Sequence, residues 1–262
     1  MPSKKSKEEL YQEGRHRGYP KIVAEGDSWF SVVIYRDLID HLSSYRYAIR
    51  NAAHFGDEIE RDMLAADRRD EWLDLIDDDT EALVFSGGGN DILDVNALKA
   101  LIVPKTQTTT QSELVDQNEL GRRMVRLKGH YEDVIALTHQ KAGRQLPIVT
   151  HGYDYIVPRD QPTTLLWVGI AGPWAWKVMN SSEPYSKGIT LKADRTYIMK
   201  TLVDAFNDML TGLATDPVHQ SYFKVVDARN TIQDDWKDEI HPNSKGFRRV
   251  ARKFHDTLKS VI

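Results

Sequence analysis

Short apolar runs, each followed by a longer amphipathic stretch, constrain this chain more than any other feature. Lys21 to Gly26, Ala82 to Phe85, Leu146 to Thr150 and Phe223 to Val226 read as short buried strands. Tyr45 to Ile49 is a plausible further strand between the first two. The intervening stretches carry helical spacing. Val32, Val33, Leu38, Ile39 and Leu42 fit one helix face, and Ile59, Met63, Trp72, Leu75 and Ile76 fit another within Asp57 to Ile76. Longer helices are expected from about Ser112 to Lys141, from Ala193 to Leu213 and from Asn243 to Val261. Strands alternating with helices require a parallel sheet covered on both faces. The expectation is a three-layer α/β/α sandwich of about five parallel strands, forming a single domain over residues 1–262.

Two segments break the alternation. Ile92 to Gln111 contains a polar run of threonines and glutamines, so a loop is expected there, with residues 104–111 its flexible part. Residues 153–192 form a longer excursion carrying Pro158, Pro162, Pro173 and Pro184 together with Trp167, Trp174 and Trp176. Its tryptophans either pack the excursion onto the domain or wall a pocket, since loops beyond strand ends carry function in open α/β sheets. Trp29, His151 and Tyr153 fall near the same sheet edge and complete the expected pocket set.

A formal charge of −4, with basic residues scattered among acids, argues against a nucleic-acid partner. The absence of cysteine removes thiolate nucleophiles, thiolate metal sites and disulfides. No apolar run follows the basic start, and none approaches the length of a membrane span. A cytoplasmic location is therefore expected, and oligomeric state is not legible.

Ligands in a doubly wound sheet bind beyond the carboxyl ends of the strands. Ser28, Gly56, Asn90 and His241 all fall just after expected strands or in loops that reach that edge. A serine hydroxyl needs an adjacent base to become a nucleophile, and His241 is the candidate. Asp238, three residues earlier, would hold the other ring nitrogen and stabilise an imidazolium. The backbone N–H groups of Ser28 and Gly56 and the side-chain amide of Asn90 are the candidate donors to an oxyanion. Asp27 and Asp91 are expected to satisfy loop amides. No His-Glu-x-x-His pair, Gly-x-Ser-x-Gly pentapeptide or phosphate loop is present, which disfavours metal, nucleophile-elbow and nucleotide-binding readings.

Gly26-Asp27-Ser28, Asn51 to Gly56, Gly88-Gly89-Asn90-Asp91 and Asp238 to His241, in that order, resemble the four blocks of the SGNH (GDSL) hydrolases. The resemblance spans roughly residues 21 to 255. It implies a flavodoxin-like sheet, hydrolysis of a small-molecule ester through an acyl-enzyme on Ser28, and no metal or organic cofactor. Carboxylic esters are the expected substrates. O-acetylated sugars, lysophospholipids or thioesters are alternatives with the same residues, and a non-catalytic binding module is the alternative of another class. Trp29 directly after the serine, and the aromatic excursion, depart from the pattern.

Overall fold

The computed structural model describes residues 7–32, 34–160, 163–165 and 168–262. Val33 and Trp167 lie outside the described residues. Five strands form one parallel sheet: β1 (Lys21–Gly26), β2 (Ala48–Asn51), β3 (Ala82–Ser86), β4 (Ile148–His151) and, late in the chain, Phe223–Val226. A hairpin of β5 (Thr163–Leu165) and β6 (Val168–Ala171) precedes that last strand, which is therefore β7. The sheet order is β2-β1-β3-β4-β7, the flavodoxin-like arrangement with its switch point between β1 and β3.

Buried strands make the core. Ile22, Ala24, Leu83, Val84, Phe85, Ile148 and Val149 are almost completely shielded from water. Helix α2 (Leu38–Ser43) packs against α9 (Ser244–Leu258) on one face. α3 (Ala66–Leu73), α6 (Gln117–Ala142) and α8 (Lys192–Thr215) contact one another or the sheet on the other. In α9, Phe247, Val250, Ala251, Phe254 and Leu258 recur at three- and four-residue spacing and are buried, so one stripe faces the sheet. Asn243 starts that helix by accepting from the N–H groups of Lys245 and Gly246.

Several boundaries differ from the sequence expectations. β2 begins later than Tyr45 because Tyr45 and Arg46 belong to a turn in which Arg46 takes φ 67°. The stretch from Asp57 to Ile76 divides into a π turn, Ile59–Met63, and α3. The loop expected at Ile92 to Gln111 is helical in its first part. α4 (Gly89–Leu93) leads into α5 (Val95–Leu101), which Asp94 caps by accepting from the Asn96 N–H. Ile92, Leu93, Ala97, Leu98 and Leu101 bury the inner face of this pair, and that burial outweighs the polar context that follows. The excursion holds α7 (Ala175–Asn180) beside its hairpin. An N-terminal helix, α1 (Lys7–His16), not anticipated from sequence, packs on β2 and buries Tyr11.

Candidate active site

β1 ends at Gly26, which lies so close to β3 that a Cβ would meet Ser86 at 2.6 Å. The chain can then turn, and Ser28 emerges at the carboxyl edge of the sheet. Its hydroxyl lies 2.8 Å from His241 Nε2. His241 Nδ1 lies 3.0 and 2.9 Å from the two oxygens of Asp238. A carboxylate can only accept, so Nδ1 carries the ring proton and Nε2 is left to accept from Ser28. The turn itself enforces this: Asp238 Oδ1 also accepts from the Ile240 and His241 N–H groups. Asp238 and His241 are each 1% exposed and Ser28 4%.

The candidate oxyanion donors converge on the same edge. Gly56 takes φ +89°, a conformation glycine adopts without steric cost. Among the described residues no acceptor meets the N–H of Ser28 or of Gly56. Asn90 stands in the first turn of α4 and gives one amide hydrogen to the Asp57 carbonyl at 2.9 Å, leaving its second available. Gly88 precedes α4 at φ +90°, with the Phe206 ring 2.6 Å from where a Cβ would sit. Only glycine can present Asn90 from that position. Asn51 braces the site from β2, accepting from Ala53 N–H and donating to the Phe30 carbonyl.

Beneath the serine lies a buried polar network. Asp27 Oδ1 accepts from Trp29 N–H at 3.0 Å and pairs with Ser86 Oγ at 2.7 Å. Asp27 Oδ2 accepts from the Tyr153 hydroxyl, which in turn receives the Gly89 N–H at 3.2 Å. Ser86 Oγ also lies 2.8 Å from His151 Nε2, and His151 Nδ1 donates to the Gly152 carbonyl. Burial pushes the Asp27 carboxyl up and the His151 imidazole down to about 4. Burial weighs against charge on both ends of this network, while the Ser86 and Tyr153 hydroxyls and the Trp29 N–H donate to the Asp27 carboxyl. Asp91 sits behind Asn90, accepts from the Ile59 N–H, and is raised to about 7 by burial.

This network revises the pocket expected from sequence. Trp29 and His151 are buried beneath Ser28, while Tyr153, also buried, borders a small apolar pocket with Gly89, Leu202 and Phe206. The Trp29 ring stacks on His151 at 4.9 Å and its indole N–H donates to the Ile240 carbonyl. An apolar ring after the serine is drawn into the core where its one donor finds a partner. Trp174 does reach the site, its ring 5.6 Å from that of His241. Trp176 lies under the Arg195 guanidinium and lines a surface cleft with Tyr155, Trp236 and, from the turn bearing His241, Asp238 and Glu239. Trp167 lies outside the described residues.

Sequence reasoning missed four contributors. Phe55, 47% exposed, places its ring 5.5 Å from His241, opposite in chain origin to Trp174. Its adjacency to Gly56 was the available signal. Arg68 on α3 donates to the Ala52 carbonyl at 3.3 Å and to Asp57 at 2.8 Å, and so clamps both sides of the Gly56 turn. Nothing local in the sequence marks it. Its guanidinium also lies 3.9 Å from Glu25, whose wholly buried carboxyl is pushed well above its ordinary range. Glu239, inside the Asp238–His241 turn, accepts from the N–H groups of Trp174, Ala175 and Trp176 and is raised to about 7 by burial. Arg159 makes a second tie, to the Asp238 carbonyl at 2.6 Å.

Among the described residues no group of three or more His, Asp or Glu is placed to hold a metal ion. No described helix is long and apolar enough to cross a membrane. No protein-family model and no curated protein matches the chain. Solved structures do. An extracellular lipase from Streptomyces rimosus superposes with a TM-score of 0.55 at 16% identity, covering 93% of this chain and all of that one. An aryl esterase from M. smegmatis gives 0.54 at 11% identity, again over 93% of this chain and all of its own. A carbohydrate acetylesterase from Sinorhizobium meliloti gives 0.52 at 12% identity with the same coverage. The five-stranded parallel sheet, its order and these likenesses together establish that the chain has the fold of the SGNH (GDSL) hydrolases.

Proposed function

We propose that the chain is a serine hydrolase of carboxylic esters and a member of the SGNH (GDSL) family. The observation that carries this reading is the buried line Ser28 Oγ, His241 Nε2, His241 Nδ1, Asp238, with each contact at 3.0 Å or less. His241 takes the hydroxyl proton as Ser28 Oγ bonds to the ester carbon, and Asp238 stabilises the imidazolium. Negative charge on the former carbonyl oxygen meets the Ser28 and Gly56 N–H groups and the free hydrogen of Asn90. The carbon–oxygen bond to the alcohol then breaks, and His241 returns its proton to the departing oxygen. Water, deprotonated by the same imidazole, hydrolyses the acyl-enzyme and restores Ser28. None of these steps calls on a metal or organic cofactor.

The test is hydrolysis of p-nitrophenyl esters from acetate to a long acyl chain by wild type and by Ser28→Ala, both verified as folded by circular dichroism. Turnover that vanishes in Ser28→Ala supports the mechanism. Equal rates in both proteins, or no turnover of carboxylic esters, acetylated sugars or thioesters by wild type, would overturn it in favour of a binding module.

A further inference from the structure

Where Asp238 and Glu239 reach the surface, the protein opens into a cleft of about 590 Å³ to which neither Ser28 nor His241 contributes. Its volume is that of an ordinary small-molecule site. The ester chemistry above leaves this cleft unused.

Arg195, near the start of α8, is its most constrained group. The side chain is only 9% exposed, and its guanidinium carbon stands 4.8 Å from the centre of the Trp176 ring. Nη1 donates to the carbonyls of Ile189 and Thr190. Nε is enclosed and meets no acceptor, and among the described residues no carboxylate forms an ion pair with the guanidinium. A cation this deeply placed ordinarily has an anionic partner. Arg159 and Lys192 line the same cleft, again without a described ion pair, and Arg159 gives one hydrogen to the Asp238 carbonyl.

The surrounding acids limit the charge that a ligand can bring. The Asp238 and Glu239 carboxyls are taken up by backbone N–H groups, but Asp160 and Asp234 line the cleft at exposed positions. A phosphate dianion would meet those carboxylates, whereas a single carboxylate suits the flat fork of a guanidinium. Rings supply the other half of the recognition. Trp236 is half-buried in the cleft wall, and no described ring or cation covers its face. Gln233 and Asp234 stand beside it and offer hydrogen bonds that a hydroxylated ring can use and an apolar acid cannot.

We propose that this cleft is an accessory binding site for sugar acids, pyranose rings carrying one carboxylate, with Arg195 receiving the carboxylate and Trp236 the face of the ring. The site is independent of whether Ser28 hydrolyses esters.

The experiment uses folded Ser28→Ala, so that turnover cannot intervene, and follows binding by calorimetry and saturation-transfer NMR. The probes are galacturonate, methyl galactoside, galactose 6-phosphate and benzoate. Galacturonate should bind in the millimolar range or below, and the neutral galactoside about tenfold or more weaker, because it lacks the charged hydrogen bond. Adding Arg195→Met should weaken galacturonate by about tenfold or more and leave the galactoside little changed. Adding Trp236→Leu should weaken both by about twofold to about tenfold, the range expected for one aromatic contact. Circular dichroism checks the fold of each variant. Because a buried arginine can also serve folding, Lys192→Gln at an exposed position and added salt give a second test, and each should weaken galacturonate alone. Absence of galacturonate binding, equal affinity for acid and galactoside, tighter binding of the phosphate or of benzoate, or binding indifferent to Arg195→Met and Trp236→Leu overturns the proposal. A galacturonate trimer then identifies the source: affinity at or above that of the monomer assigns the site to the end of an acidic polysaccharide, and lower affinity assigns it to the free sugar acid.

Discussion

Replacing His151 by glutamine should change the acid stability of the fold by an amount set by the burial of one imidazole. His151 is fully buried, its Nδ1 proton is committed to the Gly152 carbonyl, and its Nε2 faces Ser86. Burial lowers it to about 4 from an ordinary 6.5. A depressed folded-state value means the unfolded chain takes up the proton first as pH falls. The associated stability is fully present above about pH 6.5 and lost as pH falls to about 4. The interval of about 2.5 units, at about 1.4 kcal/mol each, gives a limit of about 3.5 kcal/mol, of which about 3 kcal/mol is lost by pH 4, where the folded imidazole is half protonated. Buried carboxyls act with the opposite sign. Asp27, Glu25, Asp91 and Glu239 are all raised by burial, so each favours folding at low pH and loses that contribution as pH rises. The absolute pH dependence is therefore a near-cancellation, and the informative quantity is the difference between wild type and His151→Gln. Glutamine keeps an acceptor for Ser86 and a donor for Gly152 without a group that titrates. Urea unfolding at pH 7, 6, 5 and 4 should give a wild-type advantage about 3 kcal/mol larger at pH 7 than at pH 4. An advantage independent of pH would refute the claim that His151 is held neutral.

Other expectations follow from the same geometry. Asn90→Ala should lose about 100-fold or more in kcat with a smaller change in KM, measured on p-nitrophenyl acetate, because the amide meets charge that exists only in the transition state. Arg68→Ala should lose about tenfold in kcat, with partial recovery in Arg68→Lys, since a hydrogen bond to a charged group is worth about 1.5 kcal/mol or more and the lysine retains the charge but only one arm of the clamp. Gly88→Ala should cost about 2–5 kcal/mol in urea unfolding, combining the left-handed backbone penalty with overlap onto Phe206.

The central strands were legible because burial on both faces leaves a continuous apolar run, as in Ala82–Ser86, whereas the edge strand Phe223–Val226 carries Lys224 and is only partly buried at its middle two residues. Helix α9 was legible for the complementary reason: its apolar residues keep strict spacing behind an asparagine cap. The carboxyl-edge placement of Ser28, Gly56, Asn90 and His241 then followed from topology, since loops after parallel strands all open at one edge. The tryptophans misled because ring size does not encode direction. Trp29 and Trp174 are both adjacent to site residues, yet one is drawn beneath the sheet edge by His151 and Ile240 while the other is pinned outside it by Glu239. Such directions depend on partners more than sixty residues away. α4 and α5 were hidden because the polar run after them dominates the composition of the segment, whereas the buried stripe from Ile92 to Leu101 is short.

Carboxylates around the site explain how two backbone donors stay available for chemistry. An unpaired amide near the protein interior is costly, and nearly all find acceptors. Here acids at the carboxyl edge take up the surrounding N–H groups. Asp27 takes that of Trp29, Asp91 that of Ile59, Asp238 those of Ile240 and His241, and Glu239 those of Trp174, Ala175 and Trp176. Asp154 does the same for Asn230, Thr231 and Ile232 in the loop behind the turn. The Ser28 and Gly56 N–H groups meet no protein acceptor among the described residues. In the mechanism proposed above an oxyanion would form between them, the condition under which preorganised donors lower a barrier without reorganising. The raised carboxyls Asp91 and Glu239 carry a cost of their own, because an acid buried to fix amides loses the solvation that would keep it ionised.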